Sequence, residues 1–327
     1  MSAALGNIAV TAALPSNIYR FVWQESRWHQ LPLVALTVVV SLLEVIPLEL
    51  QRRLVNDVVK DRRYAFVALL CGVYVAAALL QGGLKLFLNI YRNWVGESCI
   101  RALRRRVHSL VGDDTPASPA RLEAEGVQAS MIVAEVEPVG SFVGSSISEP
   151  LLQAGILCSV LAYMIHLDLR MAAVAIFFFV PQLVFVPTMQ RAMNRRTRIR
   201  VRLIRQLSIS IVGGVGRGRG RYDGDDERID RIFRLNMGVY KLKFSMNFLM
   251  NLSTQLQIIG ALAVGAWVVL NEQIEIGGVV AFVSGIVRLT DPWGDLVNYF
   301  RDANVNQVKF GLLRDAMNEQ AAVIAPA

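Results

Sequence analysis

Apolar residues fall in six long runs, near 32–51, 65–88, 139–164, 170–188, 248–270 and 276–293. Each is close to the ~20 residues that a helix needs to cross the hydrocarbon of a bilayer. The polar gaps between them are very uneven. They are short after the first, third and fifth runs and long after the second and fourth. The long gaps keep a helical periodicity over 89–112, 189–211 and 226–247, so the helices are expected to continue past the apolar layer. At 1.5 Å per residue, an element of about 40 residues reaches about 60 Å, twice the hydrocarbon thickness. The pattern predicts an all-α membrane protein of six long transmembrane helices extending into the cytoplasm.

Ahead of the first run, residues 1–15 are mildly apolar but lack a positively charged start, so a cleaved leader is not expected. From Ser16, the segment SNIYRFVWQESRWHQLP reads as a short interfacial helix capped by Ser16. Tyr19, Trp23 and Trp28 suit the headgroup region, where a ring can be half wet. The expected organisation is a tail and elbow helix over 1–30, a six-helix domain over 31–317, and a tail over 318–327.

Composition agrees with a membrane protein. Hydrophobic residues make up 54% of the 327, and charged residues only 18%, clustered between the apolar runs. Arginines at 101, 104, 105 and 106, and those from Arg191 to Arg234, belong inside by the positive-inside rule. The loop NEQIEIG, with Glu272 and Glu275, belongs outside. Lys60, Arg62 and Arg63 break the rule but are outweighed, which puts both termini in the cytoplasm. The net charge of +8 then reflects loops facing anionic lipid rather than a nucleic-acid partner. Cys71, Cys99 and Cys158 have neither disulfide nor zinc spacing and are expected as buried thiols.

No catalytic constellation is visible. His29, His108 and His166 have no metal-ligand partner at helical spacing. The glycine–arginine run from Gly213 to Gly220 supplies neither a dinucleotide fingerprint nor a phosphate-binding loop. Arg217, Arg219 and Arg221 read as a solvated basic loop.

The sixth run carries the clearest candidate chemistry. Arg288, Asp291, Asp295, Asn298 and Asp302 recur at steps of three or four and share one helix face. A charge at membrane depth is costly and calls for a partner, and Arg288 can reach Asp291 or Asp295 one turn away. Pro292 is expected to kink this helix and free a carbonyl. In the fifth run Asn247, Asn251 and Thr254 form a polar face beside Gln255, which reads as interhelical hydrogen bonding or as a path lining. Glu44 and Glu49 flank Pro47 in the first, with Glu44 the deeper. Lys85, Asn89 and Arg92 line the second, where snorkelling accounts for them equally well.

Three segments carry a family resemblance: VIPLELQRRLVNDVV at the end of the first run, YRNWVGESCIRALRRRVHSL leaving the second, and IEIGGVVAF opening the sixth. In this order and spacing they resemble the transmembrane domain of type-I-fold ATP-binding-cassette (ABC) exporters, over nearly all of 17–317. The resemblance implies a translocation path with Arg288, Asp291, Asp295, Asn298, Glu44, Asn251 and Gln255 as candidate lining. It also implies coupling segments near 113–126 and 212–225, with Asp113, Asp114, Glu123, Arg217 and Asp223 as candidate contacts. The glycines of the second segment depart from the family pattern, since each costs a helix about 1 kcal/mol against alanine.

A phosphate-binding loop and the family's Leu-Ser-Gly-Gly-Gln signature do not occur in the sequence, so ATP is expected to act through a partner ABC ATPase subunit. The other implied partners are a second transmembrane subunit, in a homodimer or heterodimer, membrane lipid and an unidentified cargo. A bacterial inner membrane is the expected location. A degenerate exporter acting as an interaction partner, or an ATP-independent carrier, are the alternative readings.

Overall fold

The computed structural model describes residues 14–60, 64–110, 136–214 and 222–324. Among them every regular element is an α-helix. The elements are α1 (Ile18–Leu43), α2 (Val45–Lys60), α3 (Tyr64–Leu110), α4 (136–145), α5 (Ser148–Leu167), α6 (Leu169–Gly214), α7 (Tyr222–Leu270) and α8 (Ile276–Ile324). The helical extensions expected in the long gaps are present in α3, α6 and α7, which run for 47, 46 and 49 residues, residues 111–112 lying outside the described ones, and α8 also runs for 49.

Among the described residues, five stretches are both long and apolar enough to cross a membrane: Ile18–Val59, Ala65–Arg106, Val136–Leu167, Leu169–Ile204 and Asp226–Leu270. The sixth run falls short in apolarity, not in length, because α8 carries Arg288, Asp291 and Asp295 in its first half. The apolar stretch of α3 is only 6% buried within the protein, with Leu79 71% exposed. In water such a surface would aggregate, whereas hydrocarbon solvates it and forbids only unpaired backbone.

The chain divides into two compact units, one running up to Tyr163 and resuming at Arg288, the other comprising Met164–Val287. In the first, Asn17 rather than Ser16 caps α1, its side chain accepting from the Tyr19 N–H at 2.8 Å. Asn17 has the extended backbone of a cap residue, and its carbonyl already accepts from Phe21. The elbow ends where α1 kinks at Ser26 (φ −132°, ψ 16°), whose hydroxyl donates back to the Val22 carbonyl. The first apolar run is broken again at Glu44, between α1 and α2. Pro47 has no N–H for the Leu43 carbonyl, so the ladder fails there.

Glycine sets the closest helix approach in this unit. A Cβ on Gly144 would strike the Arg92 carbonyl, one on Gly140 would strike Ile100, and one on Gly96 would lie 3.3 Å from the Ser141 Cα. Gly140 and Gly144, four residues apart, thus let α4 lie backbone to backbone on α3, as small residues do between membrane helices. On α8, Tyr299, Ala303, Phe310, Leu313 and Met317 form one buried face. Phe310 meets Phe21 with ring centroids 5.2 Å apart. Gln307 closes the start of α1, accepting from the Ile18 N–H at 3.0 Å and donating to the Ser16 carbonyl at 3.2 Å. The α8 helix continues to Ile324, through most of the expected tail, and crosses Pro292 unbroken.

In the second unit α6 and α7 pack antiparallel along their length. Gly260 faces Val174 and Phe178 near one end, and Arg196 reaches the Gly238 carbonyl nearer the other. Asp168 caps α6, its Oδ1 accepting from the N–H groups of Arg170 (2.8 Å) and Met171 (2.9 Å). Burial alone would raise the Asp168 pKa, but these bonds and the Arg170 guanidinium hold it below the usual carboxylate value. At the far end of α7, Glu272 adopts φ 54° and donates to the Val269 carbonyl, while Gln273 donates to that of Val268. This is a Schellman ending with glutamate in the place that favours glycine.

The glycine contacts yield a contrast. Replacing Gly144 by alanine drives a methyl into backbone that cannot swing away and should cost about 1–3 kcal/mol. Gly82, with open space around its Cα, should accept alanine without loss. Thermal unfolding of the two variants in detergent checks this, and equal losses would contradict the backbone contact.

Candidate functional site

Arg288 does not pair with Asp291 or Asp295 on its own helix. Its Nη1 donates to Oε2 of Glu44, at the break between α1 and α2. The Glu44 side chain is 10% exposed and that of Arg288 28%. Both ends of this pair sit where a helix is weakest. Pro47 leaves the Leu43 carbonyl next to Glu44 without its N–H, and Pro292 does the same to the carbonyl of Arg288 itself. A charge-assisted bond therefore ties the first and last helices of this unit at their proline-weakened turns.

A second polar chain crosses the same unit. Arg92 on α3 donates to Oδ1 of Asn89 at 3.1 Å and to Oε2 of Glu149 on α5. Glu149 Oε1 accepts from Gln153 Nε2 at 2.9 Å, and the same nitrogen lies 3.3 Å from Oδ2 of Asp295 on α8. Lys85 and Asp291 also act on Asp295 through their charges, Lys85 as its opposite and Asp291 as its like. Farther along α5, Ser159 donates to the Ser41 carbonyl at 2.9 Å, and Tyr163 donates to Oε2 of Glu49 at 3.0 Å. Glu49 also binds Arg52 and Arg53. From start to end of α5, polar groups thus meet α3, α8, α1 and α2 in turn.

Several of these residues escape sequence reasoning. Glu149 and Gln153 lie in SISEPLLQAGIL, where an acid and an amide one turn apart interrupt the third apolar run. That interruption was the available signal. Arg92 reads from sequence as a snorkelling side chain, yet it is 19% exposed and paired. Tyr163 carries no signal in the sequence, and only the fold places Glu49 beside it.

The other expected positions stand as follows. Asn298 and Asp302 are exposed on α8, and Asp302 pairs with the neighbouring Arg301. Asn251 and Gln255 belong to the second unit and are exposed on α7, where Gln257 is the buried amide. Thr254 donates to the Met250 carbonyl of its own helix. Asp113, Asp114, Glu123 and Arg217 lie outside the described residues, and Asp223 falls in the first turn of α7. Gly213 and Gly214, expected in the second coupling segment, still belong to α6. Cys99 is buried as expected, but Cys71 and Cys158 are exposed on apolar stretches, where a small apolar thiol sits as easily against lipid as in a core.

No group of His, Cys, Asp or Glu among the described residues is arranged to hold a metal ion. His29, instead, shares a 2.9 Å hydrogen bond with Tyr91. The arrangement in the first unit can hold charge in an apolar surrounding and rearrange hydrogen bonds between α3, α5 and α8. Compared with protein families and with curated proteins, the chain matches none.

The Glu44–Arg288 bond is open to a charge-reversal cycle. Glu44→Arg and Arg288→Glu should each destabilise the protein by about 2–4 kcal/mol, since each leaves a buried charge facing its like. The double variant should recover at least half of the summed loss in a thermal unfolding assay. Strictly additive losses would show that the two side chains do not depend on each other.

Proposed function

We propose that this chain is the transmembrane subunit of an ATP-driven ABC-type transporter, working as an exporter with separately encoded ATPase subunits. The observation that carries the reading is the length of α3, α6, α7 and α8, 46 to 49 residues each. At 1.5 Å per residue such helices are about 70 Å long, more than twice the hydrocarbon they cross. Helices that leave the bilayer by this much serve to reach something beyond it, and an ATPase pressing on their far ends is the partner the sequence resemblance implies. The basic residues on those ends favour the cytoplasmic side by the positive-inside rule, and in this reading both termini lie on that side of a bacterial inner membrane. A second transmembrane subunit, as a homodimer or heterodimer, completes the assembly.

The translocation path in this reading runs past Glu44, Arg288, Asp291 and Asp295, with Asn298 as further lining. Its mixed charge suits an amphipathic or charged cargo. Breaking and remaking the Glu44–Arg288 bond lets the α1–α2 junction bend beside Pro47 and α8 bend at Pro292 as the helix ends move. The interlocked chain Arg92–Glu149–Gln153–Asp295 favours a second reading, an ATP-independent carrier in which that chain exchanges protons or ions with the cargo.

A tagged copy purified from native membranes in mild detergent separates the two. The transporter reading expects a stoichiometric cassette ATPase in the eluate, with hydrolysis that falls at least fivefold when residues 113–126 are replaced by a flexible linker. Recovery of the folded chain without an ATPase, together with cargo uptake into nucleotide-free liposomes, would displace it in favour of the carrier.

A further inference from the structure

An aromatic ladder stands on α3 where that helix leaves its apolar run. Phe87, Tyr91 and Trp94 follow one another at steps of four and three, so they share one face. Their rings stack, with centroids 6.1 and 6.0 Å apart and planes inclined by only 2° and 8°. His29 of α1 closes the ladder from the side. It shares a 2.9 Å hydrogen bond with the Tyr91 hydroxyl and meets Tyr91 and Trp94 edge-on, at 6.1 and 5.4 Å. Leu88 and Val95, on the neighbouring flank of α3, are buried, whereas Phe87 and Trp94 remain 59% and 45% exposed. The rings are thus held against one another while part of their surface stays open.

Two helices give the same depth for this ladder. The second apolar run ends near residue 88, and Tyr91 lies three residues beyond it, about 4.5 Å along α3. The first apolar run begins near residue 32, and His29 lies three residues ahead of it, again about 4.5 Å. Their hydrogen bond therefore joins α1 and α3 at one level, just outside the hydrocarbon. Trp94 is rooted about 9 Å beyond the run, but helical side chains lean toward the N-terminus, which on α3 means back toward the membrane. The polar layer of a bilayer is about 5–8 Å deep on each side, so the ladder spans it. Below it, the ladder continues the apolar surface of α3 that is only 6% buried, and so faces the same lipid. Above it, the arginines begin only at Arg101. Tyr and Trp suit the layer between, because each joins an apolar ring to a polar tip.

We propose that the Phe87–Tyr91–Trp94 ladder is a membrane-interface anchor, its open edge seated in the glycerol and acyl-ester layer of the bilayer. The inference needs only that α1 and α3 cross a bilayer, not that the protein is a transporter. The anchor fixes how far α3 stands out of the membrane, and through His29 it holds the elbow of α1 at the same level.

The test makes Trp94 the sole tryptophan of the full-length protein, by Trp23→Phe, Trp28→Phe, Trp267→Phe and Trp293→Phe, and reconstitutes it in phosphatidylcholine vesicles. The lipid carries bromine quenchers either high on the acyl chain, near the esters, or low, near the bilayer centre. The high bromines should quench Trp94 about twofold more strongly than the low ones, as an interfacial ring requires. Leu79 lies within the apolar run and is 71% exposed. Leu79→Trp, in the same background with Trp94→Phe, should therefore reverse the order. Far-UV dichroism confirms that each variant is helical. If the fourfold change misfolds, the difference in quenching between the natural protein and Trp94→Phe alone supplies the Trp94 signal. Stronger quenching of Trp94 by the low bromines, or the same order at both positions, would overturn the assigned depth. No quenching of Trp94 by either lipid would overturn the anchor and show that protein or water covers the ladder.

Discussion

Hydrocarbon is a solvent that offers no hydrogen bonds, so each polar group carried into it must be met by another polar group. This constraint accounts for the helical backbone, since a helix satisfies its own peptide groups. It also accounts for the partners found by the charges in the apolar runs. Arg288 cannot remain alone at that depth, and Glu44 supplies the opposite charge from another helix. Arg92 is met by Glu149, and the second oxygen of Glu149 is met by Gln153. The same solvent explains why side chains as large as Leu79 and Phe177 lie open on the surface.

Apolar packing does not drive membrane helices together as it does in water, because lipid tails are as apolar as leucine. Specific association then falls to close van der Waals fit and to polar bonds. The first unit uses both. Gly96, Gly140 and Gly144 bring α3 and α4 to backbone contact, and the polar groups of α5 reach toward α2, α1, α3 and α8. In the second unit, Gly260 and Gly238 play the packing role while Asp168, Arg170 and Gln273 tie one end of the hairpin. Polar groups that hold helices together are also the groups a cargo or a proton would meet. For that reason the bonds that define the first unit are also its candidate site.

Periodicity along the chain predicts the long helices because both the apolar runs and their polar extensions repeat at the helical period. A missing proline N–H is a local property too, yet it does not decide the outcome: the chain breaks beside Pro47, where no break is predicted, and α8 runs unbroken through Pro292, where a kink is predicted. Pairing is not local. Nothing within α8 tells that Arg288 turns to Glu44, 244 residues away, instead of to Asp291 one turn on. The cap on α1 moved from Ser16 to Asn17 because both side chains can accept, and only the backbone angles decide between them. Glu149 and Gln153 were hidden by their apolar neighbours. The Gly140–Gly144 spacing was in plain view and gains its meaning only from the Arg92 carbonyl lying opposite it.

The account rests on α6 and α7 crossing the membrane, with their basic ends on one side and the Gln273 turn on the other. Thiol accessibility tests this directly, in a background where Cys71, Cys99 and Cys158 are replaced by serine. A membrane-impermeant maleimide should label Gln273→Cys on intact cells and Arg198→Cys only after permeabilisation. Labelling of both from the same side would contradict the membrane-spanning arrangement.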